Sequence, residues 1–369
     1  MLCKNKKKLF FWNPVIRKKE ILNIKRVLDS NHPNEGIFTR LFEQKIKKLL
    51  NVKYAVCVTS GTSSIFLALK SLGIKAGDEV IIPDLTFGAT ANAVNWAGAK
   101  LILCDVDDNL SLDISVLKKL INKKTKAIIP VHVSGRATNL DQILRLAKKN
   151  NIFVIEDAAE ALFSKYQKKF LGTFGHIGCF SLTASKIITT GQGGVLVTNN
   201  KFFFNEICLL KNNGVQFMKN DNFKHIRSGY NFKFTNIQAA MGLAQIDTIE
   251  SRVLKLKNNY KLYYRELKNV NEIKVQKFDI KNGSLPLWIT VLAKSNNHLF
   301  YFLKKKNIFC RKFWYPLHTQ LPYKKNKKFF KKSSVLSKEL LWLPSSLMLS
   351  KKDIIYICTQ IKKFYSKFN

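Results

Sequence analysis

Apolar residues recur along the first 250 positions in two alternating patterns. Short apolar runs typical of buried strands alternate with longer stretches in which apolar residues recur every three or four positions, as in helices. Strands are expected at 54–58, 79–82, 100–104, 127–131, 152–155, 177–182 and 194–198. Helices are expected at 15–30, 86–97, 113–121, 140–149 and in a run that ends at residue 72. This alternation predicts an α/β fold, in which helices cover both faces of a mostly parallel sheet.

The pattern changes in the last third of the chain. A long helical stretch is expected at 237–267, and residues 270–369 mix short strands and helices with lysine clusters at 304–306 and 324–332. A chain of 369 residues is long enough for more than one domain. We therefore predict a large domain over residues 1–250 and a smaller C-terminal α+β domain over residues 251–369.

The net charge is the unusual feature of the composition. The chain has 63 Lys and Arg residues against 24 Asp and Glu residues, which gives a formal charge of +39. Such a charge raises the alternative of a nucleic-acid-binding protein. That alternative predicts a basic stripe on one face, whereas the lysines are scattered through every segment among Asn, Ile and Phe. The scatter favours a solvated basic surface with no nucleic-acid partner, which would still attract an anionic substrate.

The cysteines and the apolar runs bear on location. The chain has 7 cysteines, without a Cys-x-x-Cys pair and mostly within apolar runs. This pattern is typical of reduced core residues, so we predict neither a disulfide framework nor a metal site. No apolar run approaches the ~20 residues of a membrane span, and the apolar run before Asn13-Pro14 is too short for a secretory signal. We expect a cytoplasmic protein with no membrane partner.

Two polar groups stand where predicted strands end, the position at which parallel sheets form their sites. The segment 60–64, Ser-Gly-Thr-Ser-Ser, leads from a strand into a helix, and a helix N-terminus with small hydroxyls can bind an anion. It is equally explained as a capping turn. Asp157 ends the apolar run 152–156 and either caps the next helix or pairs with a cationic ring nitrogen.

A third group contains Ser181 and Lys186, followed by the glycine-rich turn 191–194. Lys186 differs from the other lysines because small polar residues and apolar strands flank it. An amine in such a pocket can lose its proton and form a Schiff base. An anion-binding turn, an aspartate and a lysine, in this order and each at a strand end, are the pattern expected for pyridoxal phosphate (PLP).

The sequence also resembles the DegT/DnrJ/EryC1/StrS group of sugar aminotransferases from about residue 12 to residue 323. The matching segments are 60–62, 77–83, 86–87, 124–132, 156–160, 180–186, 229–240, 316–318 and 322–323. The resemblance implies the PLP-dependent transferase fold of type I, which is aspartate aminotransferase-like, with a smaller C-terminal α+β domain.

Site roles follow from the same resemblance, residue by residue. Gly61, Thr62 and Ser181 would bind the phosphate of the cofactor. Phe87 would stack on the pyridine ring, and Asp157 would face the ring nitrogen. Glu160 would lie near the cofactor, and Lys186 would be the Schiff-base lysine. Asn231 would reach the phosphate held by the neighbouring subunit of a homodimer. His318, and Tyr315 near it, are candidate substrate contacts.

The resemblance implies transfer of an amino group from an amino acid, glutamate by analogy, to a nucleotide-linked keto-sugar. The segments 235–240 and 188–191 are most similar to the perosamine-synthase branch, which aminates a 4-keto-6-deoxyhexose for surface polysaccharide. A 3-keto-sugar aminotransferase and a PLP-binding protein without catalysis are the alternatives, although Asp157 and Lys186 are both present. Gln192, where Glu is common, and Lys233, where Arg is usual, depart from the family pattern.

Overall fold

The computed structural model describes residues 7–218 and 222–366, so Cys3 lies outside the described residues. The α-helices are α1 Lys18–Asp29, α2 Ile37–Leu50, α3 Gly61–Ser71, α4 Gly88–Trp96, α5 Ile114–Leu120, α6 Leu140–Lys149, α7 Lys201–Lys211, α8 Asn236–Ile246, α9 Ile249–Leu267, α10 Asn296–Lys305, α11 Lys331–Glu339 and α12 Lys351–Tyr365. The strands are β1 Leu9–Phe10, β2 Tyr54–Val58, β3 Glu79–Pro83, β4 Lys100–Cys104, β5 Thr125–Ile128, β6 Phe153–Asp157, β7 Lys165–Tyr166, β8 Lys169–Phe170, β9 Ile177–Ser181, β10 Gly194–Thr198, β11 Val215–Phe217, β12 Phe223–His225, β13 Ile273–Val275, β14 Ile289–Ala293, β15 Ile308–Phe309, β16 Arg311–Lys312 and β17 Leu340–Leu343.

The central sheet has seven strands in the order β2-β10-β9-β6-β5-β3-β4. Strand β10 runs antiparallel to both of its neighbours, and the other neighbouring pairs are parallel. The predicted α/β class and the mostly parallel sheet are therefore confirmed. None of the described helices is both long enough and apolar enough to cross a bilayer.

Alternating residues of the strands supply two separate cores, one on each face of the sheet. In β2, Ala55 and Cys57 pack with α2 and α8, whereas Val56 and Val58 pack with α3 and α4. Both sets are buried because helices cover both faces. This double covering holds the sheet rigid and leaves the carboxyl ends of its strands free to build a site.

The prediction of one long helix at 237–267 is wrong. The chain forms α8 and α9 with a break at Asp247-Thr248. The Thr248 hydroxyl donates to the Gln245 carbonyl and accepts from Arg252 Nε, so this side chain offers the backbone a local alternative to the helical bonds. The pattern of buried residues also changes between the two helices. Helix α8 is rich in buried small residues, whereas α9 buries one face.

A second sheet, β13-β14-β17-β16, forms the C-terminal part with α9, α10 and α12 around it. The proposed boundary near residue 250 falls in the first turn of α9. Among the contacts that cross it, β1 pairs in parallel with β15, and Trp342 of β17 packs in the core that contains β2 and β9. The chain's first strand therefore packs with the C-terminal part rather than with the large sheet.

A buried carboxylate fixes the loop between β8 and β9. Glu156 is fully buried and accepts hydrogen bonds from His132 Nε2 at 2.9 Å and from the amides of Gly172, Phe174 and Gly175 at 2.8, 2.6 and 2.7 Å. Burial acts to raise its pKa, but these bonds hold the pKa below the usual 4.5. Glu156 thereby anchors the start of β9, the strand that carries Ser181.

We predict that Glu156→Gln lowers the free energy of unfolding by about 2–4 kcal/mol, because an amide cannot accept from all of these buried donors. A carboxylate with a lowered folded-state pKa stabilises the protein above its unfolded pKa of 4.5. That contribution is lost as the pH falls through the lower folded value. Denaturant unfolding measured against pH should therefore show the variant and the unmodified protein converging at acid pH.

The matched control is Glu250→Gln on the exposed side of α9, which should change stability by less than about 0.5 kcal/mol. Equal unfolding midpoints for Glu156→Gln and the unmodified protein at neutral pH would contradict the anchoring role.

Candidate active site

The carboxyl ends of neighbouring strands open into one cavity of about 340 Å³. Strand β6 ends at Asp157, β9 ends at Ser181, and β2 leads through Ser60 into α3. The structure brings the following predicted residues together on the cavity wall: Gly61, Thr62, Phe87, Asp157, Glu160, Ser181 and Lys186.

The N-terminus of α3 forms one end of the cavity. Ser60 caps the helix, since its hydroxyl accepts from the Ser63 amide at 3.0 Å. The amides of Gly61 and Thr62 in the first turn have no intrahelical acceptor. A side chain at Gly61 would bring its Cβ to 3.0 Å from Ser181 Cβ, so glycine allows the turn to lie directly against Ser181. The result is a compact group of amides and hydroxyls suited to an anion.

Asp157 lies buried at the end of β6, with both carboxylate oxygens bonded. Oδ2 accepts from Thr90 Oγ1 at 2.7 Å, and Oδ1 accepts from the Ala159 amide at 3.2 Å. Burial raises the pKa of Asp157, while the bonds from Thr90 and Ala159 and the charge of Lys186 oppose that rise. These contacts fix the orientation of the carboxylate and tie the end of β6 to α4.

Lys186 follows β9 in a short loop, and its side chain is only 10% exposed. Its Nζ lies 3.6 Å from Glu160 Oε1 and 4.7 Å from the centre of the Trp288 ring. Burial lowers the pKa of Lys186, the nearby Glu160 and Asp157 oppose this, and Arg311 adds to the lowering. The amine is therefore desolvated and closer to its neutral, nucleophilic form than a surface lysine.

Glu160 is held from its other side. Its Oε2 accepts from the Ser134 amide at 2.7 Å, while Oε1 faces Lys186. Burial raises the pKa of Glu160, and the charge of Lys186 and the Ser134 bond counteract that rise. A carboxyl group and an amine thus share one buried space in which a proton can pass between them.

The candidate aromatic residue Phe87 caps the start of α4 and is 56% exposed. Its ring centre lies 6.4 Å from that of Trp314, and both residues line the cavity. An exposed ring in the same cavity as Asp157 offers a face on which a flat ligand can stack.

Three predicted residues lie outside this cavity. Asn231 is exposed and forms an antiparallel bridge with Asn212. Tyr315 is 76% exposed. His318 is 1% exposed, its Nδ1 lies 2.7 Å from Asp84 Oδ2, and its Nε2 lies 3.3 Å from the Ser334 hydroxyl. Both ring nitrogens of His318 therefore have partners within the protein, and its role as a substrate contact stays a prediction.

The sequence did not predict Trp288, Arg311 and Trp314, which also line the cavity. Trp314 is half-buried. All come from the C-terminal part, where short strands give no periodic signal. Gln192, noted as a departure from the family pattern, also lines the cavity.

The residues of the cavity fit PLP. The phosphate requires an anion site, which the α3 terminus with Ser181 and Thr183 provides within the cavity. The ring nitrogen requires a carboxylate, and the aldehyde requires an amine of low pKa; Asp157 and Lys186 meet these needs. In the described part of the chain, no group of three or more His, Cys, Asp or Glu side chains is arranged to hold a metal ion.

Comparison with known proteins points to the same chemistry. The profile of the DegT/DnrJ/EryC1/StrS aminotransferase family matches residues 14–362. The GDP-perosamine synthase of Escherichia coli O157:H7 is 36% identical over 362 residues, which are 96% of this chain and 98% of that protein. The GDP-perosamine synthase of Vibrio cholerae is 32% identical over 343 residues, covering 90% of this chain and 92% of that one.

Among solved structures, the chain is similar to PseC of Helicobacter pylori, an aminotransferase involved in the biosynthesis of pseudoaminic acid. The TM-score is 0.91 at 25% identity, over 98% of this chain and 100% of that one. The family profile matches nearly the whole chain, and the fold and the cavity with its lysine and carboxylates are consistent with that match. Together they favour an enzyme over a nucleic-acid-binding protein. This chain belongs to the DegT/DnrJ/EryC1/StrS family of PLP-dependent aminotransferases.

Proposed function

We propose that the protein transfers an amino group from glutamate to C4 of a nucleotide-linked 4-keto-6-deoxyhexose, for surface polysaccharide. The observation that carries the transamination is the desolvated Lys186 amine, placed in one cavity with Asp157 and the α3 terminus. The similarity to GDP-perosamine synthases supports the choice of sugar and carbon. The free cysteines among the described residues are consistent with a cytoplasmic location.

When bound, PLP supplies an electron sink that stabilises negative charge at the carbon attached to the amine. The protein's residues would position the cofactor and move protons during the reaction. The amides of Gly61 and Thr62 and the hydroxyl of Ser181 would bind the phosphate, and Phe87 would stack on the ring. The Asp157 carboxylate keeps a proton on the ring nitrogen, because a buried anion stabilises the adjacent cation.

Lys186 serves twice in this proposal. Its Nζ would hold the aldehyde of PLP, and its amine would act as the base that moves a proton at the substrate carbon. Glu160, 3.6 Å from Nζ, is placed to accept a proton from the ammonium and return it. Burial of both groups brings their proton affinities closer together, which favours this exchange.

We further propose that the active enzyme is a homodimer in which Asn231 completes the partner's phosphate site. Asn231 is exposed and does not line its own chain's cavity, yet the segment is fixed by its bridge to Asn212 at the end of α7. A two-fold interface would supply this contact twice, once to each site.

Nitrogen transfer is the direct test of function. With amino-¹⁵N-labelled L-glutamate and a GDP-linked 4-keto-6-deoxyhexose, we predict ¹⁵N bonded to C4 of the sugar, read by NMR. Lys186→Ala should abolish transfer, and borohydride should fix the cofactor to the peptide that contains Lys186. Label at C3 of a 3-keto-sugar would support the 3-aminotransferase instead, and no label in any of a panel of UDP-, GDP- and dTDP-linked keto-sugars would contradict the proposal.

Asp157→Asn should keep the fold and bind PLP but slow transamination by about 100-fold or more, because a neutral amide cannot hold the ring-nitrogen proton. Absorbance changes with glutamate alone measure this step. Thr90→Ala is the control, since it removes the 2.7 Å hydrogen bond but leaves the carboxylate, and its loss should be much smaller. Near-normal turnover of Asp157→Asn would reduce Asp157 to a structural residue.

Subunit mixing tests the shared site. Chains with Lys186→Ala and chains with Asn231→Ala should each be nearly inactive. A refolded mixture should recover about a quarter of full activity, because half of the dimers are mixed and one of their two sites is intact. Mixing Lys186→Ala with Asp157→Asn is the control and should recover nothing, because both residues serve the same chain's site. Absence of recovery in the first mixture, although mixed dimers form, would contradict the shared site.

A further inference from the structure

A second cavity of the protein has a volume of about 480 Å³ and is lined mainly by polar and basic side chains. Most of its wall comes from the loop before α6, the β7–β8 hairpin and the loop after β13. Its cationic lining residues are Arg136, Lys165, Lys168 and Lys277. Among the described residues, those that line this basic pocket are all different from those that line the cavity of Lys186.

Arg136 is partly buried and has no carboxylate as a partner. Its Nη1 donates to the side-chain oxygen of Gln276 at 2.6 Å, and its Nη2 donates to the carbonyl oxygen of Asn109. No ion pair of Arg136 is found in the part of the chain that the structure describes. Burial lowers the pKa of Arg136 to about 10, although the charge of Asp107 opposes this effect. An anion bound beside this guanidinium would compensate its charge.

The lysines of the basic pocket are also available to an anion. Within residues 7–218 and 222–366, none of the three forms an ion pair with a carboxylate. The one acidic residue that lines the pocket, Asp279, accepts from the backbone amide and the side-chain amide of Asn282, at 3.2 and 2.7 Å. The pocket therefore holds an excess of positive charge around one space, and that excess favours an anionic ligand.

Hydrogen bonds through one buried hydroxyl join the three segments of the basic pocket. Ser164, the residue before β7, donates from Oγ to the Gly135 carbonyl oxygen at 2.6 Å. The same Oγ accepts from the Leu285 amide at 2.9 Å. These bonds fix the loop before α6, the hairpin and the loop after β13 relative to one another. The cationic side chains are therefore carried by a connected framework, which lowers the entropic cost of binding a ligand between them.

Close main-chain packing keeps the basic pocket separate from the cavity of the cofactor. The Ser134 amide donates to Glu160, which lines that cavity, whereas Arg136 lines the basic pocket. Between them, a Cβ at Gly135 would collide with the carbonyl oxygen of Leu285, and φ at Gly135 is +92°. The chain thus passes from one site to the other through a residue with no free space beside it, so the two sites have separate ligands.

The lining of the basic pocket indicates the class of its ligand. The Arg136 guanidinium is a planar fork that matches two oxygens of one phosphoryl group, and the lysines are point charges that can bind further oxygens. A diphosphate distributes its charge over two phosphoryl groups and can engage several of these cations at once. Tyr166 and Phe278 add ring surface to the lining, on which an attached organic group can pack.

We propose that the basic pocket binds the diphosphate group of a small molecule, either free diphosphate or a nucleoside diphosphate. Arg136 and the three lysines contact its phosphoryl oxygens, at a site separate from the cavity of Lys186. This inference goes beyond the proposed transamination and does not depend on it, because binding alone reveals the site.

Calorimetric titration of the PLP-loaded enzyme with inorganic diphosphate, at physiological salt, tests the proposal. Loading with PLP fills the phosphate site of the other cavity beforehand. Diphosphate should bind more tightly than inorganic phosphate, because it engages more of the cations. ADP distinguishes the two sources of the group: tighter binding of ADP than of diphosphate supports a nucleotide ligand, and equal binding supports free diphosphate.

Charge-matched variants locate the binding site. Lys168→Gln combined with Lys277→Gln should weaken diphosphate binding by about tenfold, since two exposed charge contacts are lost. The control combines Lys169→Gln with Lys274→Gln, which removes the same charge from exposed neighbours that do not line the pocket, and it should bind diphosphate normally. Arg136→Gln should weaken binding by about 30-fold or more, and near-ultraviolet circular dichroism checks its fold. The lysine variants decide the question if Arg136→Gln does not fold.

Three results would overturn the proposal. Absence of diphosphate binding would contradict it directly. An equal loss of affinity in the control variant would mean that diphosphate is attracted only by the general charge of +39. Binding that the nucleotide-linked keto-sugar abolishes, and that the pocket variants leave unchanged, would assign diphosphate to the substrate site. Failure of amino transfer to any keto-sugar would refute the proposed function and leave these binding results as they are.

Discussion

The site depends on the burial of one amine. Lys186 Nζ lies 3.6 Å from a carboxylate oxygen of Glu160 and against the face of Trp288, and its side chain is 10% exposed. Desolvation penalises the ammonium, while the carboxylates of Glu160 and Asp157 stabilise it. The balance lowers the pKa of the amine without removing its electrostatic anchor. A surface lysine has neither the low proton affinity nor the fixed position that a covalent role requires.

The sheet makes that burial possible. The order β2-β10-β9-β6 brings the ends of three segments together although they are far apart in sequence. Short contacts hold the residues at these ends in place. Gly61 lies against Ser181, and Thr90 donates a hydrogen bond to Asp157. Glu156 fixes the loop that leads into β9. The polar groups of the site are therefore positioned by main-chain geometry, and the aromatic wall of the C-terminal part closes the opposite side.

The strand-end residues were predictable from the sequence because each signal was local. A strand pattern followed by Ser-Gly-Thr, by Asp157 or by Ser181 and Lys186 is visible in a short window, and the parallel sheet rule brings such ends together. The partners from the C-terminal part were not predictable, since Trp288 lies in a loop just before β14 and Arg311 lies on the two-residue strand β16, and their positions depend on tertiary packing. His318 lies in a family motif, but its buried bonds to Asp84 and Ser334 became visible only in the fold. The break at Thr248 was hidden for a similar reason, because a side-chain bond to the backbone leaves no trace in hydrophobic periodicity.

The most direct test of this account is the pKa of Lys186 in the cofactor-free protein. Protein labelled with [6-¹³C]lysine gives a side-chain signal that titrates with pH, and the signal lost in Lys186→Ala identifies the residue. The account predicts a pKa of Lys186 below the usual 10.5. A Lys186 pKa at or above 10.5 would mean that the carboxylates outweigh desolvation, and it would contradict the claim that burial prepares this amine for its covalent role.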